Sequence, residues 1–369
     1  MKHILFITPF APSDIGAAMK FTKKTIETLS QSYKIDLVYF KAEGEAFYDV
    51  PNKNVRILEV YNVSLKDRLF SVLQKPWLYP VFSVRYRREL KCKLDRYVKE
   101  NRYDLIFLDH SQSFIYGKAF PDIPKILMSH DVIYQRVSRV SMKAVSAWCH
   151  SSEKKMLNQS NSHVFTFSTK DKDLLEKQYN LSSFVTCGNI DDSIYSIYPK
   201  QIDNTFVFFG QWVRKDNSEG LEWFLKKIYP QIPTGVKIAI IGRGLSHKLH
   251  AYIDKLENVE YLGFVDNPYQ LIANSKAVLS PLFSGAGVKF KVLESIACGT
   301  PVIGSEIAFE GIPKEYADFM INAHSVDEYL EKMSSVTCDI ACRTRMKNKF
   351  IKEYINPYLI KHIHSIIDK

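Results

Sequence analysis

Short apolar runs rich in β-branched and aromatic residues recur along the chain at 3–9, 34–40, 55–60, 104–109, 125–129 and 164–168. Each is four to seven residues long and bounded by polar or turn-forming residues, so each reads as a buried strand. Between them the apolar positions shift to spacings of three and four, which predicts helices over about 19–29 and 85–100. Ser168 or Thr169 is placed to cap a further helix running through 175. Strands that alternate with helices predict a mostly parallel sheet covered on both faces.

Around 189–204 the pattern lapses into polar sequence, the expected linker. A second series follows, with strands predicted at 205–210, 236–241, 259–264, 277–281 and 301–305. Asp216-Asn217-Ser218-Glu219 carries helix-start chemistry, with Asn217 expected as a cap, and 269–274 reads as a short helix. From 336 onward basic residues accompany apolar spacing, and Asn356-Pro357 predicts a break between two helices. The pattern thus predicts an α/β chain of two Rossmann-like domains, 1–189 and 205–335. The tail 336–369 either closes the second domain or packs back on the first.

Ligands of such sheets gather beyond the carboxyl ends of the strands. That rule singles out Gly16 after the first strand, His130-Asp131 after the strand at 125–129, and the stretch 284–301 in the second domain. In that stretch Gly285 and Gly287 flank a single small residue, so the backbone can approach a ligand closely. Val288, Val292, Leu293 and Ile296 give the spacing of a half-buried helix that ends near Gly299 and Pro301. Such a helix start, with Lys289 and Lys291 beside it, is suited to an anion, and Glu294 offers acceptor oxygens on the Lys291 face. Taken alone, the same residues also describe a solvated Lys-Glu pair after an ordinary glycine turn. Gly242 and Gly244 likewise serve either a site or a turn, and His130 either a site or packing.

Composition narrows the classes. The chain has 369 residues, 46% of them hydrophobic, enough for two cores. Its six cysteines are scattered without Cys-x-x-Cys, as expected for reduced thiols in a cytoplasmic protein. No apolar run approaches eighteen residues, and the start of the chain is broken by Pro9 too soon for a signal peptide. The formal charge of +10 is concentrated: 62–99 holds ten basic residues against three acids. Leu69, Phe70, Leu73, Trp77, Leu78, Tyr79, Phe82 and Tyr86 interleave with them. That mixture fits either an anionic membrane surface met by Arg85, Arg87, Arg88, Lys91 and Lys93, or a helical hairpin with a solvated basic face. No nucleic-acid-binding motif accompanies the charge, so no nucleic acid partner is expected. The first strand is not followed by Gly-x-Gly-x-x-Gly, which argues against a nicotinamide dehydrogenase.

Gly285-Ala-Gly287-Val-Lys289-Phe-Lys291-Val-Leu-Glu294-Ser-Ile-Ala-Cys-Gly299-Thr-Pro301-Val-Ile resembles a branch of the retaining glycosyltransferases of family 4, written G-x-G-x-R/K-x-K-x-x-E-x-x-A-x-G-x-P-V-V/I. Phe209-Gly210 with Asn217 downstream, Ile241-Gly242-Arg-Gly244, Leu262-Gly263-Phe264-Val265 and Ser129-His130-Asp131 support the resemblance, which covers nearly the whole chain. It implies the GT-B fold, two Rossmann-like domains facing each other across a cleft. It implies an acceptor-binding first domain and a second domain that binds a UDP- or GDP-sugar. By resemblance Glu294 would hold the ribose hydroxyls and Val265 the base. The amides of Ala286, Gly287 and Val288, with Gly285, Lys289 and Lys291, would take the diphosphate, and Gly242, Arg243 and Arg214 would lie nearby. Ile15, Gly16 and Ala17 would meet the donor from the first domain, and His130 would stand near the transferred sugar. Neither metal nor cofactor is implied.

The departures are specific. The family's common E-x7-E pair would place its first carboxylate at Ala286, and its usual Gly-Arg-Leu reads Gly210-Gln211-Trp212. The expected activity is sugar transfer, with retention, to a saccharide or lipid-linked acceptor in surface polysaccharide or glycolipid assembly, on the inner face of the plasma membrane. A nucleotide-sugar epimerase of the same fold, or a non-catalytic nucleotide-sugar-binding subunit, is the alternative.

Overall fold

The computed structural model describes all residues except Ile15, Gly188, Asn189, Asn356, Pro357 and Lys369. The chain divides into two units, Met1–Asn189 with Pro357–Lys369, and Ile190–Asn356. The expected break at Asn356-Pro357 and the first linker residue, Asn189, fall outside the described residues.

The first unit is built on seven strands: β1 (His3–Thr8), β2 (Lys34–Ala42), β3 (Val55–Val63), β4 (Leu105–Asp109), β5 (Lys125–Met128), β6 (Ser162–Thr166) and β7 (Phe184–Val185). They lie in the order β3-β2-β1-β4-β5-β6-β7, with every pairing parallel. Ile4 to Ile7 and Leu105 to Leu108 are wholly buried, because helices cover both faces of the sheet and leave no polar side to alternate with. The second unit repeats the plan with β8 (Asp203–Phe209), β9 (Lys237–Ile241), β10 (Val259–Gly263), β11 (Ser275–Ser280), β12 (Val302–Gly304) and β13 (Met320–Asn322). Their order is β10-β9-β8-β11-β12-β13, again all parallel.

In both sheets the chain reverses its direction of winding beside the first strand of the unit, between β1 and β4 and between β8 and β11. These are the topological switch points, where loops diverge at the carboxyl ends and leave a crevice. Helix Ala17–Leu29 follows β1, and helix Phe290–Ala297 follows β11.

The tail separates into two parts. Helix Ile340–Glu353 stays with the second unit, where the buried Arg343 donates to the carbonyls of Ala273, Ser275, Lys276 and Cys338. Lys347, also buried, donates to the Ile194 carbonyl. Helix Tyr358–Ile367 belongs to the first unit and packs on Ala17–Leu29, with Tyr33 hydrogen-bonded to His364.

Candidate active site

The loop after β11 leads from Ser284 to Lys289. Gly285 (φ 135°) and Gly287 (φ 67°) occupy backbone regions that favour glycine, so the chain turns tightly before the helix begins at Phe290. Val292, Leu293 and Ile296 anchor that helix in the core. Lys291, in the first turn of that helix, donates from Nζ to Asn217 Oδ1 at 2.8 Å.

Asn217 is not the expected helix cap. It is the third residue of helix Lys215–Lys227, whose cap position is Arg214. Its Nδ2 donates to the Gln211 carbonyl at 2.9 Å, which aims Oδ1 at Lys291. Gly210 makes room for it, since a β-carbon there would sit 3.1 Å from Asn217 Nδ2. Burial pushes the Lys291 amine down to about 7, against the pull of Asp216 and with the push of Arg214 and Lys289. Arg214 is itself bound two-pronged to Asp216, at 3.1 and 2.8 Å. Lys289 turns back on its own loop, donating to the carbonyls of Gly287 (2.6 Å) and Ala286 (3.2 Å), with Glu310 at 3.8 Å. In this structure it staples the loop that was expected to meet the ligand.

Glu294, nearly buried, accepts from Tyr269 Oη at 3.1 Å. Tyr269 opens helix Tyr269–Asn274 after β10. Burial first, and then the Glu294 charge, hold its phenol well above the usual tyrosine range, so it stays a donor. Gly242 and Gly244 both lie in tight turns. A β-carbon on Gly242 (φ 128°) would lie 1.6 Å from the Gly210 carbonyl oxygen, and one on Gly244 would lie 2.4 Å from Val213. They let the turns after β8 and β9 cross, joined by Trp212 N–H donating to the Arg243 carbonyl at 2.8 Å. The Arg243 guanidinium lies 3.7 Å over the exposed Phe264 ring, beside Val265. The carboxyl ends of β8, β9, β10 and β11 thus bring together Asn217, Arg243, Val265, Lys291 and Glu294. A cavity of about 580 Å³ lies at the opposite, amino end of this sheet, among Asp203, Lys237 and Asn258, away from these groups.

The first unit has a second cluster. Gly16 (φ 92°) precedes helix Ala17–Leu29, of which Ala17 is the first residue; Ile15 is outside the described residues. Asp109, wholly buried at the end of β4, accepts from Thr8 Oγ1 (3.0 Å) and Thr22 Oγ1 (2.5 Å) on Oδ2 and faces His130 Nε2 with Oδ1 at 2.7 Å. Burial alone would raise this carboxyl, but the imidazoles of His110 and His130 and the hydrogen bonds of His130 and Thr22 hold it down at about 2. An ionised Asp109 can only accept, so it takes a hydrogen bond from His130 Nε2–H and fixes the orientation of the ring.

His110, at an uncommon φ of 60°, stacks on His130 with ring centres 3.4 Å apart, and Phe21 and Phe167 meet His130 edge-on. Burial pushes His110 down to about 3, so it is neutral near pH 7. Among the described residues Asp109, His110 and His130 are the group whose ligand atoms come within 4.8 Å of one another. Their geometry suits a hydrogen-bonded pair better than an ion: both Asp109 oxygens are engaged, and face-to-face imidazoles do not converge their lone pairs.

Asp109, Asn217 and Tyr269 were not named as site residues from sequence. Asp109 lay within reach, as the final residue of a predicted strand. Asn217 and Tyr269 act through contacts 74 and 25 residues away, which no local pattern encodes.

Comparison with known proteins bears on the second unit and on the fold. Residues 203–339 match the family model described as Glycosyl transferases group 1. An "Uncharacterized 44.6 kDa protein in cps region" of Klebsiella pneumoniae is 26% identical over 135 residues, and the match spans 34% of each chain, about a third of that relative's length. Sucrose-phosphate synthase from Thermosynechococcus elongatus superposes with a TM-score of 0.71 at 14% identity, over 98% of this chain and 96% of that one. Anabaena HepE in complex with UDP and glucose gives 0.68 at 15% identity, over 99% of both chains. WaaG, a glycosyltransferase involved in lipopolysaccharide biosynthesis, gives 0.69 at 13% identity, over 98% and 99%. Residues 203–339 therefore form a glycosyl transferases group 1 domain, on a chain that has the GT-B fold.

Proposed function

We propose that the protein is a retaining glycosyltransferase of family 4 that moves a hexose from a nucleotide-diphosphate sugar to a saccharide or lipid-linked acceptor. The observation that carries this reading is the pairing of Lys291 with Asn217 and of Glu294 with Tyr269 at the mouth of the glycine loop. A cation and a carboxylate, each oriented by a partner of its own, are what a diphosphate and a ribose require. HepE and the trehalose-6-phosphate protein of E. coli are similar in fold and carry UDP-sugar ligands in their structures, which favours a UDP-sugar as donor.

In this reading Glu294 accepts from the ribose hydroxyls, backbone groups at Val265 meet the base, and Arg243 with Phe264 flanks it. Lys291, the amides of 286–288 and Arg214 take the diphosphate, while Lys289 keeps the loop in shape. As the bond from the anomeric carbon to the phosphate oxygen breaks, the acceptor oxygen bonds to that carbon and the acceptor proton leaves with the diphosphate or solvent. Lys291 stabilises the negative charge on the departing oxygen, and the approaching phosphates restore its proton. Lysine and amides supply this charge without a divalent ion, so a chelator is expected to leave turnover unchanged. His130, seated on Asp109, is assigned to the transfer step rather than to nucleotide binding. The cps-region relative favours a role in surface polysaccharide assembly.

The test is incubation with a panel of UDP- and GDP-sugars, with and without saccharide and lipid-linked acceptors. Release of nucleoside diphosphate with transfer of the sugar is expected. An altered sugar still joined to its nucleotide, formed without acceptor, would instead mark an epimerase. Binding without turnover over a wide acceptor panel would mark a non-catalytic subunit.

A further inference from the structure

The basic, aromatic segment 62–99 divides in the structure into a consumed half and an exposed half. Arg85 is buried and donates to the Pro9 carbonyl at 3.1 Å. Arg87 binds Ser71 and the Asp67 carbonyl, with its Nη2 3.4 Å from the Asp67 carboxylate. Lys91 pairs with Asp95, and Lys93 with Glu59 and Glu89. Four of the five cations expected to meet a membrane are thus engaged within the protein, and Leu78, Phe82 and Tyr86 are in the core.

The exposed half is helix Leu65–Leu73 and the turn after it. Ser64 and Asp67 close a capping box at its start. Its burial is inverted relative to an ordinary amphipathic helix. The buried side chain is Ser71, and Asp67 faces Arg87, whereas Leu65 (81% exposed), Leu69 (63%), Phe70 (64%) and Leu73 (63%) stand in solvent with Trp77 (58%). Single exposed apolar residues are ordinary, but five large ones on nine helical residues and an adjoining turn form a patch that is costly to leave in water. Trp148 Nε1 donates to the Trp77 carbonyl at 3.0 Å and extends the patch onto helix Lys143–Leu157. That helix starts just after Val140 and Met142, both more than 70% exposed.

We propose that this face seats the first unit on an anionic bilayer, with Leu65, Leu69, Phe70, Leu73 and Trp77 entering the headgroup and acyl boundary. The charge pattern selects the partner. Lys66 and Arg68 are exposed within the ridge and make no ion pair among the described residues, and Lys75 lies over the rings of Trp77 and Tyr86. The helix's one acid, Asp67, is occupied by Ser64 and Arg87. Cations set in an apolar ridge complement acidic headgroups, and they would repel one another across an interface between two copies. Among the described residues no helix is long and apolar enough to cross a membrane, so attachment through this face is peripheral. The inference rests on the surface alone and not on the transfer reading.

Flotation with vesicles of phosphatidylcholine alone, and with added phosphatidylglycerol, tests it on the full chain. Binding is expected to the anionic vesicles, with a blue-shifted Trp emission that Trp77→Phe diminishes. Leu69→Ser, Phe70→Ser and Leu73→Ser combined should weaken binding at least tenfold while melting temperature and UDP-sugar turnover in solution stay unchanged, since these side chains are already exposed. Lys66→Ser with Arg68→Ser should weaken it less and remove most of its salt dependence. Equal binding by the triple serine variant would overturn the proposal. So would a wild type that ignores vesicles and self-associates through this face, becoming monomeric in the triple variant.

Discussion

The two switch points share a topology and differ in everything placed on it. At the β8/β11 end, a glycine loop and a helix start surround Lys291, a cation made costly by burial and kept in place by Asn217. At the β1/β4 end, a buried carboxylate, Asp109, holds an imidazole among aromatic rings. On the proposed reading the first arrangement gains an anion, since a bound phosphate would relieve the burial penalty of Lys291. In the second the buried carboxylate is already hydrogen-bonded by Thr8, Thr22 and His130, and it holds the imidazole in a fixed direction. On that reading the scaffold supplies position, and the loops decide between binding charge and directing a proton or hydroxyl.

The largest effect expected from separating these roles is on turnover. His130→Ala should lower kcat by on the order of 100-fold and leave UDP affinity unchanged, which steady-state rates and calorimetry would show together. A parallel loss of UDP affinity would erase the distinction between the two ends. Next comes the framework of the cationic end. Gly242→Ala drives a β-carbon against the Gly210 carbonyl and should destabilise the second unit by on the order of 2–4 kcal/mol, read as a shifted denaturation midpoint. A variant of unchanged stability would mean that the crossing of the two turns is looser than the structure shows.

The smallest effect is on pH dependence. With the Lys291 amine down at about 7 in the unliganded protein, its protonated form dominates below that value and becomes scarce above it. Phosphate binding raises the amine, so affinity for a UDP-sugar should be full below pH 7 and fall roughly tenfold between pH 7 and 8.5. The sugar diphosphate is fully ionised throughout that range and adds no slope of its own. Lys291→Arg should flatten the profile; a wild-type profile that is already flat would show that burial does not tune this lysine.

The strands were legible because parallel strands covered on both faces leave unbroken apolar runs, as at Ile4 to Ile7 and Ile238 to Ile241. The two- and three-residue strands β7 and β13 are too short to carry a pattern; helix Lys143–Leu157 has little amphipathic contrast, whereas helix Ile133–Val140 was legible from the spacing of Ile133, Val137 and Val140, though it is not among the predicted helices. At the site, Gly285, Gly287, Lys291 and Glu294 stood out because they lie within ten residues of one another. Their supports did not. Asn217 looked like a cap because Asn near a helix start usually is one, and only the distant Lys291 shows otherwise. Charge misled in the same way. Arg85 and Lys93 count as surface cations in a sequence, yet burial takes one and Glu59 with Glu89 the other, while the helix that turns its apolar side outward is visible only in three dimensions.

The central claim is that the glycine loop and helix of the second unit hold the nucleotide diphosphate. Calorimetric titration of UDP into the wild type, Lys291→Ala and His130→Ala tests it most directly. The account predicts a 10- to 100-fold loss for Lys291→Ala, about 1.5–3 kcal/mol for a hydrogen bond to a charged group, and wild-type affinity for His130→Ala. Undiminished UDP binding by a folded Lys291→Ala protein would contradict it.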